Sequence, residues 1–142
     1  MASQNHSNHP RYVPAWHFIT SFAIIALLIG SVVNLARSAK ENVYSASLLV
    51  LVSVIFLSIF WYARQFALRA QDRAIRAEEN LRHLALTGQM LDSRLAMGQI
   101  IALRFAGDDE FVPLAKKAAD NSIPAGEIKK SIVNWKADYH RV

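Results

Sequence analysis

Two long stretches without a charge dominate this chain: FITSFAIIALLIGSVVNLA over 18–36 and NVYSASLLVLVSVIFLSIFWYA over 42–63. A helix needs about 20 apolar residues to cross the roughly 30 Å hydrocarbon core of a bilayer, and inside lipid it must satisfy every backbone group within itself. Both stretches meet that length. A pair of buried helices in a soluble fold is the rival reading, but a chain of 142 residues leaves too little sequence to cover two helices that are apolar on every side. The expectation is two transmembrane helices, 16–36 and 44–66, joined by an external loop over 37–43.

Aromatic residues mark the ends of both stretches. Tyr12, Trp16 and Phe18 precede the first, Tyr44 opens the second, and Phe60, Trp61, Tyr62 and Phe66 close it. Amphipathic rings gather in this way between headgroups and acyl tails. The first stretch is longer than the apolar run of a signal peptide, and its candidate cleavage pattern, Ala36-Arg37-Ser38, places a large charged residue between the small ones, so it reads as a retained helix. Within it, Ala26 and Gly30 form a small-xxx-small spacing that permits close helix packing. Asn34 and Ser45, Ser47, Ser53 and Ser58 can bond to a neighbouring helix or to their own carbonyls. No ionisable residue lies within the core of either stretch, which argues against an ion pathway.

Basic residues set the orientation. Arg64, Arg69, Arg73, Arg76 and Arg82 follow the second stretch and Arg11 precedes the first, whereas the loop holds Arg37 and Lys40 opposed by Glu41. The heavier basic flanks stay inside, so both termini are expected in the cytoplasm. Arg64, Arg69, Arg73 and Arg76 are candidates for contact with anionic lipid headgroups. The tail over 1–15 is polar and proline-containing. His6 and His9, with His17 near the membrane, lack a third ligand at a defined spacing and read as solvated residues rather than a metal site.

The second helix has no reason to stop at the membrane. No Gly or Pro occurs between Ala63 and Gly88, good helix formers dominate, and Asp72 with Arg76 and Glu78 with Arg82 are acid-first i,i+4 pairs. One helix is therefore expected over 44–86, with 67–88 as a cytoplasmic extension. Ala63, Ala67, Ala70, Ala74, Ala77, Leu81 and Leu84 recur at alternating spacings of four and three, the a and d positions of a heptad. They form a seam for a partner helix: the same helix of another copy, the chain's own C-terminal helices, or a helix of a larger membrane complex. Arg69, Asp72, Arg73, Arg76, Glu79 and Arg82 form a charged face opposite, toward water and headgroups, and Leu68 and Ile75 form a narrower apolar stripe.

Residues 89–142 read as a small bundle of three short helices. The first is expected over 93–105. The second, DEFVPLAKKAAD, is capped by Asp108 or Asp109, with acids in its first turn and Pro113 still within it. The third, PAGEIKKSIVNWKADY, is opened by Ser122 and Pro124. Phe105, Phe111, Leu114, Ala118, Ile123, Ile128, Ile132, Val133 and Trp135 are the candidate core, small enough to need support from the long helix. A helix-turn-helix with Lys129, Lys130, Lys136 and Arg141 toward phosphate is disfavoured by charge, since 89–142 carries eight Lys+Arg against seven Asp+Glu. His83 and His140 read as surface residues.

Function classes narrow by exclusion. There is no cysteine, hence no disulfide framework, thiol nucleophile or thiolate metal site. No GxSxG, HExxH or glycine-rich phosphate loop occurs, and neither cofactor nor metal is implied. The fold class read from these features is all-α: a transmembrane helical hairpin whose second helix extends into the cytoplasm, then a small helical bundle. The function expected is that of a non-enzymatic membrane protein acting by helix packing, as a homo-oligomer or an accessory subunit. The alternative is a membrane-tethered adaptor whose bundle binds a soluble protein or nucleic acid.

At RYVPAWHF, ENVYSASLLVL, AQDRAIRAEENLRHLALTG, LDSRLAMGQIIALRFAGDDEF and NWKADYHRV the chain resembles an uncharacterised family of small bacterial membrane proteins, classed as a domain of unknown function. RAEENLRH and QIIALRFA are the most distinctive segments. The resemblance implies a bacterial inner-membrane protein with two spans and a cytoplasmic helical tail, and it carries no catalytic residues over.

Overall fold

The computed structural model describes Gln4, Asn5, Asn8 and residues 12–139. Among these the chain is helical, and it divides into two compact units, one over Arg11–Ala67 and the other built from Leu68–Val142 with the first residues of the chain. His6, His9, Arg11, His140 and Arg141, each weighed above, lie outside the described residues.

The first unit opens with a π-helical segment, Ala15–Thr20, that runs into α1 (Ser21–Arg37). The wider turn is matched by two hydroxyls that reach back five residues, Thr20 to the Ala15 carbonyl and Ser21 to that of Trp16. His17 folds its Nδ1 onto the Val13 backbone at 3.0 Å. A short 3-10 turn, Lys40–Asn42, leads into α2 (Val43–Thr87), the uninterrupted helix expected over 44–86. Alanine and other unbranched helix formers, with no Gly or Pro before Gly88, account for its 45 residues.

The two apolar helices pair antiparallel. Trp16 stacks on Phe60 with ring centroids 4.3 Å apart, and Ser31 Oγ lies 3.2 Å from Ser53 Oγ. Ser31, Ala46 and Ser53 are buried, with Ile24, Leu28, Leu35 and Val50 half-buried along the same contact. Small residues at the centre let the backbones approach, and the hydroxyl pair satisfies itself there. The close-packing motif expected at Ala26 and Gly30 is not the one used: both are exposed, and a Cβ on Gly30 would meet nothing within 4 Å. Ser45, Ser47 and Ser58 bond to carbonyls of their own helix.

The second unit packs three short helices beside the distal part of α2: α3 (Met97–Leu103), α4 (Asp108–Asn121) and α5 (Ala125–Ser131). Ile100, Leu103, Phe105, Phe111, Ala118 and Ile128 are buried, joined by Leu91, Leu95, Ala102, Ala106, Ala115 and Ala119. Of the expected core, Leu114, Ile123, Ile132 and Trp135 are only half-buried, and Val133 is exposed.

Each helix boundary departs from expectation for a local reason. α3 begins at Met97 rather than 93, because the Asp92 carboxylate binds the Arg94 amide at 2.9 Å and holds a turn there. Gln99 then reaches back to the Ala96 amide at 2.7 Å and closes the new start. Gly107, not an aspartate, is the N-cap of α4, and Pro113 sits at its sixth position, beyond the first turn. Ser122 closes α4 in a left-handed conformation (φ 50°) rather than opening α5, whose N-cap is Pro124.

The largest departure is at the C-terminus. The third helix stops at Ser131, and 132–139 form an extended strap with one antiparallel bridge between Ala106 and Trp135. The Gly107 amide donates to the Asn134 carbonyl and the Lys136 amide to that of Phe105. Glu110 is decisive: its carboxylate accepts both the Val133 amide, at 3.0 Å, and the Asn134 amide, at 2.9 Å. Those amides would otherwise continue the helix.

Candidate functional site

At 100° per residue, α2 beyond the apolar stretch presents three stripes, roughly 90–150° apart. The first, Leu68, Ile75, Glu79 and Arg82, faces the bundle. Ile75 is 5% exposed and Glu79 6%. The second, Arg69, Arg73 and Arg76, is exposed. The third is the small-residue seam, of which Ala70, Ala74, Ala77, Leu81 and Leu84 are exposed; Ala63 is exposed as well and Ala67 half-buried.

Two sequence expectations change here. The seam is not covered by the chain's own C-terminal helices, which choose the Leu68–Ile75 stripe instead. The charged face is also not one surface, because Glu79 and Arg82 leave it for the bundle contact while Arg69, Arg73 and Arg76 stay in the open. Arg64, the fourth candidate headgroup residue, is half-buried.

Arg82 is the hub of the bundle contact. Its side chain is 11% exposed, and Nη1 lies 3.1 Å from the Glu79 carboxylate rather than on Glu78, its expected partner. Nη2 donates to the Ala106 carbonyl at 2.7 Å and meets Asp108 at 2.6 Å, while Nε donates to the same carboxylate. The guanidinium lies 4.2 Å over the Phe111 ring. One planar fork thus holds the end of α3, the start of α4 and a core aromatic at once. His83, one residue on, stands edge-to-face with Phe111 and donates from Nδ1 to the Gln89 carbonyl, so it is a bundle contact and not a free surface residue.

The acidic run does more than complement a helix N-terminus. Asp108 takes Arg82, Asp109 takes the Asn134 side-chain amide, and Glu110 takes the strap. The strap continues to Asp138, whose carboxylate pairs with buried Arg104 at 3.1 Å. The Asp138 backbone is bound in both directions by the side-chain amide of Gln4, at 3.1 and 2.8 Å. Phe105 stacks on Trp135 at 4.6 Å, under the Arg104 guanidinium and the Lys129 ammonium. Sequence reasoning missed Arg82, Glu79, Glu110 and Gln4. Only Arg82 and Glu79 left a signal, since they extend the Leu68–Ile75 spacing.

A cleft of about 320 Å³ opens between the end of α2 and α4, with His83, Asp92 and Lys116 among its lining. Arg94 bridges Asp92 and Asp120 beside it, and that hydrogen-bonded guanidinium lowers the Asp92 carboxyl to about 2. Among the described residues no group of three His, Asp or Glu is placed to hold a metal ion.

The model of a family of unknown function, DUF6526, matches residues 1–142. The chain belongs to that family. No curated protein and no solved structure matches it. For this DUF6526 member, then, the site must speak through its own geometry, and that geometry is a helix with one face closed by its own chain and another open.

Proposed function

We propose that this DUF6526 protein is a non-catalytic integral membrane protein that works by helix packing. The antiparallel pair α1–α2 anchors it, and the distal part of α2 offers its open face to a partner helix. The observation that carries the reading is the asymmetry of α2: the Ile75 stripe lies under the bundle, whereas Ala70, Ala74, Ala77, Leu81 and Leu84 stay exposed on the same helix.

Exposure supports the bilayer. Phe18, Ile19, Phe22, Ile25 and Ile29 on one helix, and Leu51, Ile55 and Ile59 on the other, are each about half exposed or more, which lipid tolerates and water does not. The arginine flank supports both termini in the cytoplasm, and a bacterial inner membrane is what the resemblance to small bacterial membrane proteins implies. Arg64 and Arg69, within about 10 Å of the end of the apolar stretch, then sit where anionic headgroups are, with Arg73 and Arg76 farther out.

Chemical crosslinking and native mass measurement of the full chain in mild detergent test the proposal. Assembly is expected, and Ala70→Arg or Ala77→Arg is expected to abolish it while carbonate-resistant membrane insertion persists. A strictly monomeric, partnerless protein overturns the packing role.

A further inference from the structure

The open face of α2 carries more than small side chains. Leu81 is 67% exposed and Leu84 37% exposed, on a face of the helix beyond the apolar stretch that the bundle leaves open. Two large apolar side chains on a helix in water mark a contact surface rather than a solvated end. In heptad terms Ala74 and Leu81 are a positions, and Ala70, Ala77 and Leu84 are d positions.

The residues beside this face say what fits it. Arg73 and Asn80 hold the g positions, with Gln71, Glu78 and Ala85 at e. Two helices lying parallel and in register bring g of one against the e five residues later on the other. For two copies of this helix those pairs are Arg73 with Glu78 and Asn80 with Ala85. The charged pair is of opposite sign, it occurs twice by symmetry, and no like charges meet. Both residues are exposed, and the bundle's ion pairs run through Arg82, Arg94 and Arg104 instead. An antiparallel pair would set g against g and e against e, which parts Arg73 from Glu78. The flanks therefore complement themselves in one orientation, which is also the one that two copies anchored in the same bilayer must adopt.

We infer that the Ala70–Leu84 stretch of α2 pairs in parallel with the same stretch of a second copy, with Arg73 of each chain against Glu78 of the other. The inference rests on the anchored helix-packing reading and names its partner. Small a and d residues at Ala70, Ala74 and Ala77 bring the backbones close, and Leu81 and Leu84 supply apolar burial at the distal end.

The chain has no cysteine, so single cysteines introduced into the full-length protein in its native membrane report contact directly. Ala70→Cys and Leu84→Cys stand roughly 21 Å apart along the helix, and mild oxidation is expected to crosslink each to its own counterpart, while Arg76→Cys on the arginine stripe stays uncrosslinked. Only a parallel, in-register pair does both. Arg73→Glu or Glu78→Arg alone is expected to weaken dimerisation about tenfold in detergent, with two attractive pairs made repulsive, and the double reversal to restore it. Crosslinking at only one of the two positions, or a double reversal no better than the singles, overturns the inference. A carbonate wash separates the two claims: a chain that washes off the membrane yet still crosslinks at both positions defeats the anchoring and leaves the pairing standing.

Discussion

Replacing Arg82 by alanine should release the bundle from α2, and the size of the effect can be worked from the contacts. Its strongest partner is Glu79, at 3.1 Å, with both side chains close to nine-tenths buried. Deleting one member of such a pair leaves a desolvated charge without a counter-ion, at a cost of about 3–5 kcal/mol. The Ala106 carbonyl loses a charge-assisted bond, about 1–3 kcal/mol. The Asp108 arm adds little, less than about 1 kcal/mol, because that carboxylate is 69% exposed. These contributions share a single guanidinium and do not sum, so about 4 kcal/mol is the working figure. At about 1.4 kcal/mol per tenfold, amides of Phe111 and Ile128 should exchange with deuterium several-hundredfold faster or more in the full-length variant. Asp108→Asn should change the same amides by no more than about fivefold. Arg82→Met combined with Glu79→Leu, which removes both charges and keeps the volume, should recover most of the protection. An Arg82→Ala variant with less than a tenfold change, or an Asp108→Asn variant equally damaging, would refute the view that the buried arm anchors the bundle.

Two further outcomes follow from the bundle. Gly107→Ala should destabilise it by about 1–3 kcal/mol, since a Cβ there would lie 2.5 Å from Asp109 Oδ1, 3.2 Å from Asn134 Cβ and 3.3 Å from the Asn134 carbonyl oxygen; thermal unfolding followed by Trp135 fluorescence in a Trp16→Phe, Trp61→Phe background would read the loss, and an unchanged midpoint would count against the strap as a packed element. Asp92, lowered from 3.8 to about 2 by its hydrogen bonds with Arg94, contributes stability that is present above its unfolded value and lost as pH falls through the folded one. The window is therefore pH 4 down to 2. Carboxyl carbon NMR should show Asp92 titrating near 2, and higher in Arg94→Ala, which loses the guanidinium bonds but keeps the residue-94 amide bond; the same midpoint in both proteins would remove the guanidinium as the cause.

What the sequence made legible depends on how local the cause is. The length of α2 was readable because helix propensity and the absence of Gly and Pro act residue by residue. The two apolar helices were readable because hydropathy is summed along a segment. Their contact was not: Ala26 and Gly30 carry the familiar spacing, yet Ser31 and Ser53 occupy the interface, and choosing between stripes of one helix needs the other helix. The strap failed for the same reason. Ile132 to Tyr139 continue a plausible helical pattern until Glu110, more than twenty residues earlier, captures the Val133 and Asn134 amides.

The same limit explains the misreading of the charged face. Spacing places Glu79 and Arg82 at a known angle on α2, but whether that angle meets water or the bundle depends on where the tail docks. Once the tail takes the Ile75 stripe, a pair that reads as solvated becomes a buried ion pair and Arg82 becomes the anchor. That choice leaves the alanine and leucine stripe uncovered. An intrachain contact on the Ile75 side and an open face on the Ala70–Leu84 side are thus two consequences of one docking event, and loosening the first by Arg82→Ala should leave pairing through the second intact.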